Sequence, residues 1–300
     1  MPATLFQCPD GQRTTISDCL NQCRLKNRCM FLPTLRAVAR SLNRNIQQPT
    51  VTELIAGTRE TYLKRTMDYA VEPQSVLYAL HGSALHTINE GYTEGNMLSE
   101  MRLHDEITSG KFDLYGQIAG LDECVLGDIK VTSSYKIMKA LGRYKVDVPT
   151  GEVYKTGAKK GQPKYAKEWR EGGVRGILDW AIQLNYYRIL LEQHGFPVRS
   201  MVIQALCRDN SLRIASERGI DQAVYLLPIH RISDRWILRY MRHKAKGLQE
   251  SIEDKVLPDT CTEKERWHNR KCHDFCQVAE HCSHGQALKE NSAAVFKEVS

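Results

Sequence analysis

The chain has 300 residues, of which 42% are hydrophobic and 26% are charged, and its formal net charge is +7. This length allows one large domain or a core with appended modules, and the apolar content is enough for a buried core. No apolar run reaches the length of about eighteen residues that a membrane span needs, and the first residues lack the pattern of a signal peptide. Ten cysteines in such a chain indicate a reducing, cytoplasmic compartment, in which thiolates bind metal rather than form disulfides.

Eight of these cysteines form two sets with the same spacing, C-x10-C-x3-C-x5-C. The first set lies near the start of the chain and the second near its end: Cys8, Cys19, Cys23 and Cys29, then Cys261, Cys272, Cys276 and Cys282. Four thiolates suit a zinc ion or a [4Fe–4S] cluster and leave no open ligand position, so both sets are predicted to be structural metal sites. The chain therefore divides into an N-terminal module (1–31), a core (32–257) and a C-terminal module with a tail (258–300).

Hydrophobic periodicity predicts alternating helices and strands along the core. In chain order these are helices over 35–42, 52–67 and 74–89; a strand over 100–107 with a hairpin loop at 108–111; strands over 112–119 and 124–132; a helix over 176–194; strands over 201–207 and 223–228; and a long helix from Ser233 or Asp234 to about Glu253. This order predicts an α/β fold with a mixed sheet flanked by helices.

The strand over 124–132 contains the tripeptide Asp128-Ile129-Lys130. Because strand side chains alternate, Asp128 and Lys130 are expected on one face. Burying a carboxylate and an ammonium on an otherwise apolar strand is costly. The pattern therefore indicates a site that holds a divalent metal and orients a water for phosphodiester hydrolysis. For this tripeptide alone, a plain cross-strand salt bridge at a sheet edge is the commoner explanation.

A basic segment follows over 135–170, with ten Lys or Arg residues and three Asp or Glu residues. Its glycines and prolines favour an inserted flap over a packed element. Lysines alternate there with aromatic residues, a composition typical of single-strand binding, in which bases stack and phosphates pair. The candidate nucleic-acid-binding residues are Lys155, Lys159, Lys160 and Lys164. A solvated loop whose lysines only maintain solubility is the alternative.

Four short motifs occur in a characteristic order: G-x-x-x-H at Gly82 and His86, G-Q-I at 116–118, D-x-K at 128–130, and Q-x-x-x-Y at Gln183 and Tyr187. This set resembles the PD-(D/E)XK nucleases of the RecB/AddB type, which include CRISPR-associated and phage exonucleases that carry iron–sulfur clusters. The resemblance covers about residues 52–282. It implies a restriction-endonuclease-like sheet and a metal-dependent DNA exonuclease in recombination, repair or phage DNA processing.

The resemblance also implies roles for individual residues. The metal, Mg²⁺ or Mn²⁺, would be held by His86, Asp128 and the carbonyl of Ile129. Lys130 would position the attacking water and stabilise developing charge. The pair Gln183 and Tyr187 would orient the substrate phosphate or support Lys130.

The chain departs from the family pattern at Ala119, where the family has a metal-binding Asp. This departure predicts little or no hydrolysis, whether Ala119 is an inactivating substitution or the natural state. The alternative function is therefore a catalytically inactive nucleic-acid-binding protein with a nuclease fold. Asp122 could substitute, but it lies too far along the predicted turn.

The expected partner is DNA, as single strands or duplex ends, in the cytoplasm of a bacterial, archaeal or phage-infected cell. Protein partners in recombination or repair are expected as well, no membrane partner is expected, and the oligomeric state stays open. A second departure from the family is the lack of a cysteine over 52–63. Cys261 is therefore expected to complete a self-contained C-terminal set.

Overall fold

The computed structural model describes residues 3–43, 48–118 and 124–298. The chain begins with strands β1 (Leu5–Gln7) and β2 (Arg13–Thr15) and helix α1 (Ile16–Asn21). Strand β1 also pairs in parallel with β3 (Ala70–Val71), so the N-terminal module is joined to the core by a shared sheet. Phe6 of β1 is 1% exposed and belongs to the common core.

Four helices precede the main sheet: α2 (Leu32–Leu42), α3 (Val51–Ile55), α4 (Thr58–Thr66) and α5 (Leu77–Gly91). The single helix predicted over 52–67 is therefore wrong, because the chain breaks between α3 and α4. Thr50 and Glu53 form a capping box at the start of α3. Gly57, at the break, lies so close to the thiol of Cys261 that a Cβ there would collide with it.

The next strands are β4 (Leu98–Ser99), β5 (Arg102–His104), β6 (Ser109–Lys111), β7 (Leu114–Gly116) and β8 (Val125–Thr132). The strand predicted over 100–107 is shorter than expected, since Glu100 adopts a left-handed backbone with φ of 52° and interrupts it. The predicted loop at 108–111 instead contains β6, which pairs with β5. Strands β7 and β8 form the expected antiparallel pair.

The main sheet has five strands in the order β12-β11-β8-β7-β4, completed by β11 (Ser200–Cys207) and β12 (Val224–Ile229). Strands β8 and β11 are parallel, whereas the other neighbours are antiparallel. The predicted mixed α/β class is confirmed. Since β8 lies at the centre of the sheet, the D-x-K tripeptide is not at a sheet edge.

Helices α7 (Leu178–Gln193), α8 (Arg213–Glu217) and α9 (Asp234–Asp254) follow. Helix α7 contacts β8 on one side and α3 and α9 on others, which explains why it is buried nearly all round. Its Arg188 is fully buried and pairs with Glu192 and with Asp234 at the start of α9.

The basic segment has two parts. Residues Ser134–Ala140 form helix α6, in which Ile137 and Ala140 are fully buried, so the predicted flap does not include this part. Strands β9 (Tyr144–Val153) and β10 (Pro163–Arg170) form an antiparallel two-stranded sheet apart from the main one. This hairpin, residues 144–170, is called the basic ribbon below.

The C-terminal module contains α10 (Arg270–Asp274), a short 3-10 helix (Ala279–His281) and α11 (Ser283–Glu298). Ion pairs from Lys271 to Glu60 and from Lys244 to Glu265 hold the module against α4 and α9. The two cysteine modules also meet directly, through an ion pair between Arg13 and Glu280. No helix in the described part of the chain is both long and apolar enough to cross a membrane.

Candidate active site

The site begins with the two charged side chains of β8. Asp128 is 1% exposed, and its Oδ2 lies 2.7 Å from Nζ of Lys130. The two side chains share a face of the strand, as their spacing predicts. Burial lowers the pKa of Lys130, but the carboxylates of Asp128 and Asp113 outweigh it, so the pKa is raised and the ammonium stays charged.

Helix α7 places its two predicted residues beside this pair. Nζ of Lys130 donates to Oε1 of Gln183 at 3.0 Å, and Nε2 of Gln183 donates to the hydroxyl of Tyr187 at 3.1 Å. One helical turn separates Gln183 from Tyr187, so both reach the same point on the sheet. Burial raises the pKa of Tyr187 to about 12, and the charge of Asp128 adds to the effect. The structure therefore brings all four residues together, and Gln183 and Tyr187 support Lys130.

Asp113, which sequence reasoning passed over, supplies a second carboxylate. It lies just before β7, and its Oδ2 accepts a hydrogen bond of 2.6 Å from the backbone N–H of Ile129. Burial, followed by the charge of Asp128, raises the pKa of Asp113 to about 8. The sequence offered one signal for this site residue. In the stretch Lys111 to Leu114, which reads K-F-D-L, an Asp follows an aromatic residue beside a strand.

His86 on α5 completes the group. Its Nδ1 lies 3.0 Å from Oε1 of Glu100 and 3.5 Å from Oδ1 of Asp113. Among the described residues, these three form the one set whose ligand atoms all lie within 4.8 Å of one another. Glu100 was also missed, because the strand predicted over 100–107 would have made it an ordinary strand residue.

Ala119 lies outside the described residues, so its predicted role stays a prediction. The carbonyl of Ile129 likewise stays a predicted ligand, while the N–H of the same residue is used by Asp113. The donor set of one imidazole and several carboxylates fits Mg²⁺ or Mn²⁺, which prefer oxygen ligands and accept a histidine. A divalent ion bound there would supply Lewis acidity and lower the pKa of a bound water.

The first cysteine set is gathered around α1. Burial raises the pKa of Cys19, and the nearby thiols of Cys23, Cys29 and Cys8 raise it further. Such mutual electrostatic repulsion requires the four sulfurs to be near one another. The four thiols therefore fit a shared metal, and none of them is in a disulfide.

The second cysteine set lines a single cavity between the C-terminal module and α4. The lining includes the four thiols of the set: Cys261, Cys272, Cys276 and Cys282. Arg59 also lines the cavity and donates to Sγ of Cys282 at 3.7 Å. Burial, with the charge of Glu60, raises the pKa of Cys276 to about 11. Arginine beside thiolates offsets the negative charge that a thiolate-bound metal would carry.

The spacing of the sulfurs bears on which metal fits. A tetrahedral zinc ion with bonds of about 2.3 Å holds its sulfurs about 3.8 Å apart. In the described part of the chain, no three thiols lie within 4.8 Å of one another. The choice between zinc and a [4Fe–4S] cluster stays a prediction at both sets.

The four predicted nucleic-acid-binding lysines are all on the basic ribbon, near its turn. Lys159 and Lys164 each lie 5.9 Å from the ring centre of Tyr154. At the other end of the ribbon, Lys145 lies 4.6 Å from the ring centre of Trp169. Cations therefore alternate with aromatic rings along the ribbon, as the sequence predicts.

No family model matches the chain, and no curated protein matches it. Among solved structures, the chain is similar to one described as "Crystal structure of SSO0001", with 14% sequence identity and a TM-score of 0.41. The match covers 83% of this chain and 94% of that one. A likeness at this level carries no argument about family or function.

The raised pKa of Asp113 predicts a pH dependence of stability. The folded protein holds a proton there up to about pH 8, whereas the unfolded chain loses it near the ordinary pKa of 3.8. The metal-free protein should therefore lose stability as the pH rises between these two values. Asp113→Asn, which cannot titrate, should flatten this decline. Urea unfolding in the presence of a chelator, at several pH values across this window, measures the effect.

Asp221→Asn, at an exposed position, is the control. If the free energy of unfolding falls with pH at the same slope in all three proteins, the assignment to Asp113 is contradicted.

The two cysteine sets predict two separate metal centres. Cys19→Ser and Cys272→Ser should each remove about half of the bound metal, since losing one of four thiolates empties its own site only. Elemental analysis and visible absorption of anaerobically purified protein measure this, with Cys124→Ser as a control outside both sets. Full metal content in either variant would show that the corresponding set does not bind metal.

Proposed function

We propose that this protein is a metal-dependent DNA nuclease that hydrolyses phosphodiester bonds with PD-(D/E)XK chemistry, acting as an exonuclease. The observation that supports it is the position of Asp113 beside the Asp128–Lys130 pair. Three features that the chemistry needs thus lie together. They are carboxylates with a histidine for a divalent ion, the half-buried ammonium of Lys130, and the polar pair Gln183 and Tyr187 that holds this ammonium.

Lys130 is the residue best placed to act on the attacking water. Its ammonium is fixed between Asp128 and Gln183, so it loses little further freedom when it binds a water or a phosphate oxygen. A fixed positive charge in a partly buried site stabilises the negative charge that develops on the phosphate during attack. Tyr187, through Gln183, sets the direction of that ammonium.

Asp113 removes the reason to expect an inactive protein. The expectation of weak hydrolysis rested on Ala119, which leaves the D-x-K pair without a second carboxylate. With Asp113 bonded to the backbone between Asp128 and Lys130, that carboxylate is supplied from six residues earlier in the chain. We therefore propose that the protein is an active enzyme. A binding protein without hydrolysis is the alternative that the next experiment separates.

Cleavage of end-labelled DNA with Mn²⁺ tests the proposed function. The unaltered chain should cleave, and Asp113→Asn or Lys130→Ala should each lower the rate by at least about 100-fold, the usual cost of removing one preorganised charged group. Asp221→Asn should leave the rate unchanged. Failure of the unaltered chain to cleave, together with cleavage by Ala119→Asp, would show that position 119 carries the missing carboxylate instead. Failure of both would favour the binding protein.

The basic ribbon is proposed to bind the DNA. It is anchored at its base by a hydrogen bond of 2.7 Å from Nε1 of Trp169 to the carbonyl of Glu217. A surface pocket at that base is lined by Lys139, Lys145, Tyr144 and Trp169 among others. Exposed aromatic rings beside cations suit single-stranded DNA, whose bases stack and whose phosphates pair with lysines.

Neutralising the ribbon lysines tests this assignment. The fourfold Lys→Gln variant should bind single-stranded DNA more weakly, and its salt dependence should be flatter by about 0.7 for each phosphate that the ribbon no longer neutralises. The variant positions are Lys155, Lys159, Lys160 and Lys164. Folding should be unaffected, because three of these lysines are exposed and the ion pair of Lys164 with Glu152 lies at the surface, where such pairs contribute little to stability. The matched control is a fourfold Lys→Gln variant at exposed lysines elsewhere: Lys26, Lys246, Lys264 and Lys289. If the two variants bind DNA equally well, the ribbon does not carry the DNA.

A further inference from the structure

A surface pocket of about 480 Å³ lies where the basic ribbon joins the core, and the four candidate lysines near the turn of the ribbon do not line it. The lining includes Met138 of α6, which is 9% exposed, together with Lys139, Tyr144, Lys145 and Trp169. A pocket of this volume falls within the range of small-molecule binding sites. It therefore has room for a ligand of about the size of a single nucleotide.

The indole of Trp169 is held in place from two sides. Its Nε1 donates a hydrogen bond of 2.7 Å to the carbonyl of Glu217, and the residue is half-buried. Lys145 is its partner across the two strands of the ribbon and places Nζ 4.6 Å from the ring centre. An aromatic ring that is already fixed can stack on a base with little further loss of conformational freedom.

Backbone contacts hold the ribbon base against the end of α6. The N–H of Gly173 donates to the carbonyl of Gly142 at 2.8 Å, and the N–H of Gly176 donates to the carbonyl of Lys139 at 2.9 Å. Gly142 has a φ of 67°, and a Cβ there would lie only 2.4 Å from the carbonyl oxygen of Gly173. Two glycines thus allow the chain segments beside the pocket to meet, so the pocket is formed before any ligand binds.

The pocket is positively charged. Lys139, Arg143 and Lys145 line it, and among the residues that the structure describes no carboxylate does. Arg143 is paired with Glu171. The exposed ammonium groups of Lys139 and Lys145 lie over aromatic rings and form no ion pair with a described carboxylate. Two such ammonium groups beside an indole suit a ligand that is both aromatic and anionic.

The alternation of side chains along β10 provides matched positions outside the pocket. Tyr165 and Lys167 lie on the same face of the strand as Trp169, because every second residue shares a face. Both are exposed, and neither lines the pocket. Substitutions at these two positions therefore separate a role of the pocket from a general role of the ribbon.

The pocket is also close to the candidate active site along the chain. Lys130 is near the end of β8, and α6, which carries Lys139, begins at Ser134. The strand and helix geometry of this stretch allows at most about 20–25 Å between Lys130 and Lys139. A DNA strand held in the pocket therefore lies near the site.

We propose that this pocket binds one nucleotide, whose base stacks on Trp169 and whose phosphate is held by Lys145 and Lys139. The ammonium of Lys145 turns from the indole to the phosphate and leaves the ring face to the base. An unpaired base of a bound strand and a free mononucleotide share this chemistry. The inference rests on the proposed function for its purpose, which is to hold the strand beside the active site, but it is tested by binding alone.

Binding to the full-length protein without added Mg²⁺ or Mn²⁺ tests the proposal. The probes are a deoxyadenosine dodecamer, an abasic dodecamer of the same charge, and free deoxyadenosine 5′-monophosphate. Fluorescence anisotropy follows the labelled strands, and calorimetry follows the mononucleotide. Trp169→Ala should lower the affinity for the deoxyadenosine dodecamer about tenfold, the usual effect of losing one stacked base, and should leave the affinity for the abasic dodecamer nearly unchanged.

Further variants make the result specific. Trp169→Phe keeps an aromatic ring and should retain most of the affinity for the deoxyadenosine dodecamer. Lys145→Gln should weaken the binding of both dodecamers more than Lys167→Gln does, and Tyr165→Ala should cost less affinity than Trp169→Ala. Circular dichroism and urea unfolding establish that the variants are folded.

The mononucleotide identifies the occupant. If Trp169→Ala weakens the binding of free deoxyadenosine 5′-monophosphate as well, the pocket accepts free nucleotides. If it weakens only the binding of the deoxyadenosine dodecamer, the occupant is an unpaired base of a strand. Both outcomes uphold the pocket.

The remaining outcomes separate this inference from the proposed nuclease. Unchanged binding of all three probes by Trp169→Ala, or equal losses for the two dodecamers, would overturn the pocket even if the protein cleaves DNA. A loss that requires the base would uphold the pocket even if no DNA is cleaved. In that case the nuclease proposal alone would fail.

Discussion

The buried carboxylate of Asp128, on the central strand of the sheet, is the constraint around which the site is built. A charge at 1% exposure is tolerated only where opposite charge and polar groups surround it. Lys130 supplies the charge, and Gln183 fixes the ammonium. Asp113 adds a second carboxylate, and its burial together with the charge of Asp128 raises its pKa to about 8. The arrangement is costly for stability and suited to binding a cation, which is the usual trade at a functional site.

Helix α7 connects the site to the rest of the core. One face carries Gln183 and Tyr187 to the sheet, and the remainder packs against α3 and α9. The ring of Tyr187 lies so close to the backbone of Gly110 that a Cβ at that position would collide with it. Glycine in β6 therefore lets the ring reach the site. The fully buried Arg188, next along the helix, ties α7 to α9 through Asp234. The site and the helical layer are thus positioned by the same element.

The cysteine modules complete the fold at one end. Each is short of apolar residues, so bound metal would supply much of its folding energy. They are not independent appendages, because β1 pairs with β3 of the core and Arg13 pairs with Glu280 of the opposite module. The C-terminal cavity lies against α4, and Lys244 of α9 binds Glu265. A metal held by the C-terminal set would therefore also help to hold α4 and α9 in place.

The sequence by itself determined the features that depend on local spacing. The period of a strand placed Asp128 and Lys130 on one face, and one helical turn aligned Gln183 with Tyr187. The α/β order, the two cysteine repeats and the alternation of cations with aromatic rings were also readable, because each is a pattern of neighbours along the chain. Only the tertiary structure decided which distant residues join the pair on β8. Asp113 is placed beside this pair by its hydrogen bond to the backbone of Ile129, and Glu100 is placed near Asp113 by its left-handed backbone conformation. Neither feature produces a periodic pattern in the sequence. Strand pairing and burial set those contacts, and they depend on the whole chain rather than on any short stretch of it.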